Sequence, residues 1–241
     1  MNPVFAAIDT ISTPVAAPLV GTLAGAVGGI KLGLEFFCAN GPEGIRTVMS
    51  GAAGLPLFLD LKLHDIPNTV AGAVRAVAPL APYLLTVHAA GGPQMMRAAA
   101  AAAAEMGESR PRIVAVTVLT SLDQTDLAAI GVAGGVTDQA ARLADLALAS
   151  GLDGVVCSAH EAAALRRQLG PEAILVVPGI RPAGAATGDQ KRVMGPAEAM
   201  AAGATHLVIG RPITEAADPA AAARAISSEL LVGSALRGGA H

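Results

Sequence analysis

Aromatic side chains are nearly absent from this 241-residue chain, which has no Trp, one Tyr and four Phe. Its core must be packed from Val, Ile, Leu and Ala, and hydrophobic residues supply 53% of the sequence for that purpose. Charge is scarce as well, at 15% of residues with a net charge of −3, and no Lys/Arg run occurs. The chain therefore carries no electrostatic footprint for nucleic acid. Its two cysteines, Cys38 and Cys157, lie far apart and in no metal-type spacing. That argues against a disulfide framework and for buried thiols in a reducing cytoplasm. Mean hydropathy is positive, yet no uninterrupted apolar run reaches the roughly 18–20 residues of a spanning helix. The blandest stretch, Thr13 to Ile30, is broken by Pro14, Pro18 and several glycines. At the N-terminus Asp9 and Thr10 interrupt any secretory pattern. Neither a nucleic-acid nor a membrane partner is expected.

What is present is a repeat of one unit: a short β-branched run, a polar or Gly-rich turn, then an Ala/Leu-rich helical stretch. Strands are expected at Val4–Ile8, Gly29–Leu32, Leu57–Leu61, Leu84–His88, Ile113–Leu119, Gly154–Cys157, Ile174–Val177 and His206–Ile209. Between them lie helical stretches at Gly41–Ala53, Thr69–Ala81, Pro93–Met106, Thr137–Ser150, His160–Leu169 and Pro196–Ala202, with a last helix from Pro219 to about Leu236. Strict alternation implies parallel strands with right-handed crossovers. Eight strands at intervals of roughly 30 residues fit a closed (β/α)8 TIM barrel. The spacing alone also admits an open doubly wound sheet. No linker or composition shift marks a boundary, so residues 1–241 read as one catalytic barrel domain.

A barrel places its chemistry where strands end. Polar residues sit there with unusual regularity: Asp9, Lys31, Asp60 with Lys62, His88, Thr120, Arg181 and Arg211 follow or end seven of the eight strands. Charges at the ends of buried strands are costly unless paired or used. The densest cluster is Phe58-Leu-Asp-Leu-Lys-Leu-His-Asp-Ile-Pro-Asn-Thr69. Residues two apart on a strand face one side, so Asp60 and Lys62 share a space and can pair. Asp65 follows past the strand end, and Pro67 suits the first turn of the next helix. An ammonium set among carboxylates suits a general acid that delivers a proton to a carbanion-like centre. An isolated D-x-K would be read as an ordinary ion pair. A third acid and the neighbouring Lys31 favour an active site.

The run Asp60-x-Lys62-x-x-Asp65-Ile-Pro-x-Thr69 resembles the signature of orotidine 5′-phosphate decarboxylases of the bacterial type. The resemblance continues through Ala7-Ile-Asp9, Lys31-Leu-Gly33, His88-Ala-Ala-Gly-Gly92, Leu119-Thr-Ser121, Gly151–Ser158, Pro178-Gly-Ile-Arg181, Asp189-Gln190 and Ile209-Gly-Arg211, in the family's order. It implies a cofactor-free decarboxylase that makes UMP from orotidine 5′-monophosphate. Lys62 would protonate C6, Asp60 would face the substrate carboxylate, and Lys31 would organise the charges and touch the ribose. Asp9 would bind the ribose hydroxyls and Thr120 the pyrimidine, while Arg181, Gln190, Gly210 and Arg211 would hold the phosphate. The family contributes Asp65 and Thr69 from the neighbouring subunit, so a homodimer is implied. The Gly/Ala-rich segment from Arg181 to Arg192 has the composition of a lid over that phosphate.

Other polar residues carry plainer expectations. His64 and His88 pack at strand ends, and His160 starts a helix. Glu35 and Glu43 are solvated or capping, and Asp123, Asp126 and Asp138 are suited to N-caps. The stretch Gly25-Ala-Val-Gly-Gly-Ile departs from the apolar strand expected before Lys31. Two rivals fit parts of the pattern. One is a metal-dependent sugar-phosphate aldolase or decarboxylase of the same suprafamily, with Glu35 as a further acid. The other is a non-catalytic nucleotide-binding barrel.

Overall fold

Short β-branched runs, almost wholly buried, close into a single barrel of eight parallel strands in sequence order. The computed structural model describes residues 2–182 and 194–238. The strands are β1 (Val4–Ile8), β2 (Gly29–Gly33), β3 (Leu57–Leu63), β4 (Leu84–His88), β5 (Arg112–Val116), β6 (Gly154–Val156), β7 (Ile174–Val177) and β8 (His206–Ile209). The helices that follow them are α1 (Thr13–Leu23), α2 (Leu34–Ser50), α3 (Pro67–Val77), α4 (Gly92–Ala104), α5 (Gln124–Ala129), α6 (Val136–Ala149), α7 (Ala159–Leu169), α8 (Pro196–Ala201), α9 (Arg211–Thr214) and α10 (Pro219–Gly238). The expected (β/α)8 barrel is therefore the fold, and β1 paired with β8 excludes the open sheet.

Two apolar layers follow from the period-2 alternation of the strands. Residues pointing outward, such as Val4, Ala6 and Ile8, join the helices in the larger core. Residues pointing inward, among them Phe5, Phe58, Leu84, Val114, Val176 and Val208, fill the barrel interior. The glycine-rich approach to β2 has a steric cause. A Cβ on Gly28 would meet the Asn2 carbonyl, and one on Gly29 would enter the Phe5 ring. A bulky interior residue on β1 thus requires the absence of one on β2.

Several boundaries move. The strand expected at Ile113–Leu119 ends at Val116, the last residue paired with β6, although the Thr117 N–H still reaches the Val156 carbonyl at 3.1 Å. The strand expected to end at Leu61 continues to Leu63 through a bulge, and Cys157 falls just beyond β6. The expected helix Gly41–Ala53 begins earlier, at Leu34, and bends at Gly41, where φ is +60°. Helix α1 was hidden by its prolines. Pro14 stands at the first helical positions, where its missing N–H costs nothing, and Pro18 is tolerated inside. The plainer expectations for acids hold: Asp123 caps α5 in a reciprocal box with Asp126, and Glu43 pairs with Arg46 at 3.0 Å. His160 lies in the first turn of α7. Among the described residues no helix is long and apolar enough to cross a membrane.

Candidate active site

The inward-facing rows that fill the barrel continue upward into charge. Phe58 is followed two residues later by Asp60 and Ala7 by Asp9, so these acids stand one pleat above interior apolar residues, while Lys31 stands one pleat above Gly29, whose place the Phe5 ring takes. Register brings them side by side: Ala7 pairs with Lys31 and Gly33 with Asp60. The Lys62 ammonium donates to Asp60 Oδ2 at 2.8 Å. Lys31 Nζ lies 3.3 Å from Asp9 Oδ1 and 3.8 Å from Asp60 Oδ2. Asp9, Lys31, Asp60 and Lys62 thus form a continuous chain of alternating charge. Its centre is the dry part: the Lys31 and Asp60 side chains are 11% and 13% exposed, whereas Asp9 is 63% exposed. Desolvating such ions costs several kcal/mol each unless they are paired. Gly33 makes room for this packing, since a Cβ there would come 3.1 Å from the Lys31 ammonium.

The backbone at Lys62 is held in the left-handed region, with φ +49°. For a non-glycine residue this costs about 1–3 kcal/mol, and such residues cluster at functional sites. It coincides with the bulge in β3, where the register against β4 shifts between Leu59 and Leu63. The Lys62 N–H is satisfied from the next strand by Thr86 Oγ1, which accepts it at 2.8 Å. Thr86, fully buried, in turn donates to Asp60 Oδ1 at 2.9 Å.

Above this array opens a cavity of about 440 Å³. Asp9, Lys31, Asp60 and Lys62 line one side, with Thr120, Arg181, Gly210 and Arg211 on the other, so eight of the expected residues share one space. Gly210 precedes the short α9 and sits against Asp9, with room for a Cβ only at 3.4 Å from its carboxylate. Arg181 Nη1 donates to the Ile180 carbonyl at 3.0 Å, which anchors the guanidinium at the mouth. Asp65 and Thr69 are not brought into the cavity of this chain. Both are exposed, and Asp65 accepts from the N–H of Ile66 at 2.6 Å. Gln190 and most of the expected lid lie outside the described residues.

His64 and His88 behave as strand-end packing: their rings stack at 5.3 Å. Burial first, then the neighbouring His64 and Lys62 charges, push the His88 pKa below its ordinary value. Among the described residues no group of three or more His, Cys, Asp or Glu is placed to hold a metal ion. Three lining or supporting residues escaped the sequence reading. Thr86 looked like one more strand residue, although alternation with Leu84 places it on the inward face. Glu215 lines the cavity from the end of α9, and Cys157 from the end of β6. The Cys157 thiol is 1% exposed and burial raises its pKa, so it is an inert wall.

Comparison with known proteins agrees with this geometry. The profile described as "Orotidine 5'-phosphate decarboxylase / HUMPS family" matches residues 2–226. An orotidine 5′-phosphate decarboxylase of Rhodospirillum rubrum is 60% identical over 234 residues, covering 95% of this chain and 94% of that one. One from Novosphingobium aromaticivorans is 53% identical over 229 residues, covering 95% and 99%. A crystal structure of the orotidine 5′-phosphate decarboxylase of Lactobacillus acidophilus superposes with a TM-score of 0.84 at 36% identity, covering 95% and 99%.

Proposed function

The chain belongs to the orotidine 5′-phosphate decarboxylase / HUMPS family, and from that premise we propose that it is a carboxy-lyase converting orotidine 5′-monophosphate to UMP and carbon dioxide. The observation that carries this reading is the Lys62–Asp60–Lys31–Asp9 array at the floor of one cavity. The substrate carboxylate is set against Asp60. As the C6–carboxylate bond breaks, its electron pair stays on C6, and the Lys62 ammonium 2.8 Å from Asp60 supplies the proton. Lys31 holds Asp60 and Asp9 in place and reaches the ribose, whose hydroxyls meet Asp9. Thr120 contacts the pyrimidine. Arg181, Gln190, Gly210 and Arg211 take the phosphate, whose binding energy is available far from the reacting bond. No cofactor enters this scheme.

The same reading makes the enzyme a homodimer, one barrel domain per chain over residues 1–241, with Asp65 and Thr69 completing the neighbour's site. What supports this is their exposure beside Ile66, which is 66% exposed, on the rim where Ile11 and Leu34 are 58% and 52% exposed. Large apolar side chains left open at one rim favour association there. A cytoplasmic location fits the two unpaired cysteines, of which Cys157 is buried as expected whereas Cys38 is exposed. The role is the step that yields UMP in pyrimidine biosynthesis.

The test follows loss of orotidine 5′-monophosphate absorbance by purified protein in EDTA, beside Lys62→Ala. Turnover by wild type with near-total loss in the variant is the expected result. An inactive wild type sinks the reading, and sugar-phosphate substrates with Mg2+ then test the aldolase. For the dimer, sedimentation gives the mass, and mixing inactive Asp65→Ala with inactive Lys62→Ala should restore partial activity through sites that draw intact residues from both chains.

A further inference from the structure

Thr86 joins the two groups that the proposed chemistry uses most. Its hydroxyl lies in the middle of β4, fully buried, and has one proton to give. That proton goes to Asp60 Oδ1 at 2.9 Å, which leaves a lone pair to accept the Lys62 N–H at 2.8 Å. Each bond therefore fixes the direction of the other. Asp60 is in this way held at both oxygens: Oδ1 by Thr86, and Oδ2 by the ammoniums of Lys62 and Lys31. Lys62, at φ +49° within a bulge, has no ladder partner for its N–H and depends on the same hydroxyl. The point from which the ammonium extends and the plane of the carboxylate it pairs with are thus set by one oxygen.

We infer that Thr86 is a positioning residue of the active site, whose hydroxyl aligns Asp60 and Lys62 for the decarboxylation and is not there merely to satisfy a buried strand. The inference rests on the function proposed above. It differs from a packing role in one respect, because the methyl of Thr86 contributes nothing to the alignment. The phosphate and ribose groups lie on other strands, so substrate capture is spared while turnover is not.

Steady-state kinetics of Thr86→Val, Thr86→Ser and Thr86→Ala on orotidine 5′-monophosphate, with thermal unfolding of each, test this. Misplaced reacting groups can cost about 100-fold, so kcat should fall roughly 10- to 100-fold in Thr86→Val with KM within about threefold of wild type. Thr86→Ser should restore kcat to within a few-fold of wild type, since it keeps the hydroxyl and loses only the methyl. If the valine variant does not fold, the serine and alanine variants make the same comparison. Equal losses with and without the hydroxyl would overturn the inference, as would a rise in KM at unchanged kcat or a valine variant as fast as wild type. An inactive wild type would instead strike at the proposed function, so the two failures are distinguishable.

Discussion

The two ends of the barrel are built by the same inward alternation, yet one is closed by rings and the other kept open by charge. At the lower end Phe5 stacks on Tyr83 at 6.1 Å with ring planes 16° apart, and meets Phe58 edge-on at 6.1 Å. His206 lies 5.4 Å from Phe5, and the Arg112 guanidinium covers Tyr83 at 4.7 Å. Three of the chain's five Phe and Tyr rings are spent on this plug. Further up the same inward rows stand Asp60, Lys31 and Asp9, beneath a cavity of about 440 Å³. Apolar packing is concentrated below and the proposed chemistry above, as barrel enzymes generally arrange. The difference has a physical logic. Apolar interdigitation needs no partner geometry, whereas buried ions are kept only where each is paired.

The comparison breaks most sharply with Lys62→Ala, which removes the proposed proton donor while leaving Asp60 its Lys31 and Thr86 partners. We expect kcat to fall by ~10⁴-fold or more, with the unfolding temperature changed by only a few degrees. The mirror experiment is Phe5→Ala, which opens a cavity in the plug. It should cost about 3–5 kcal/mol in denaturant unfolding while the folded fraction keeps near-normal kcat. A variant that lost turnover in proportion to neither stability nor occupancy would show the two ends to be coupled.

A pH series sharpens the contrast further. Burial first, and then the Arg112 charge, pushes the His206 pKa from its ordinary 6.5 down to about 4. The unfolded chain therefore binds a proton between these values that the folded one does not. The contribution of neutral His206 is complete above pH 6.5, falls as pH drops toward about 4, and amounts to at most about 3 kcal/mol. Unfolding free energies measured across this window should lose that part of their slope in His206→Gln, whereas the pH dependence of turnover should be unmoved. The smallest effect should come from Gly29→Ala. Its added Cβ would press into the Phe5 ring, with a cost of about 1–3 kcal/mol that Phe5→Leu should partly relieve. Unfolding of the two single variants and the double variant gives that coupling directly.

The alternation of β-branched and Ala-rich segments, and the Asp60-x-Lys62 spacing, were legible because period and pleat are local properties of the chain. They determined eight parallel strands, the shared face of Asp60 and Lys62, and a ring of polar residues at the strand ends. Helix α1 was not legible, since Pro14 and Pro18 look like breakers until their place in the helix is known. Nor was the glycine pair before Lys31, whose reason is a Phe5 ring on another strand. Only the tertiary structure decided that Lys31 reaches both Asp9 and Asp60, that Lys62 adopts a left-handed backbone, and that Thr86 ties it to Asp60. Those facts depend on register between strands far apart in sequence, and closure of the barrel is what sets that register.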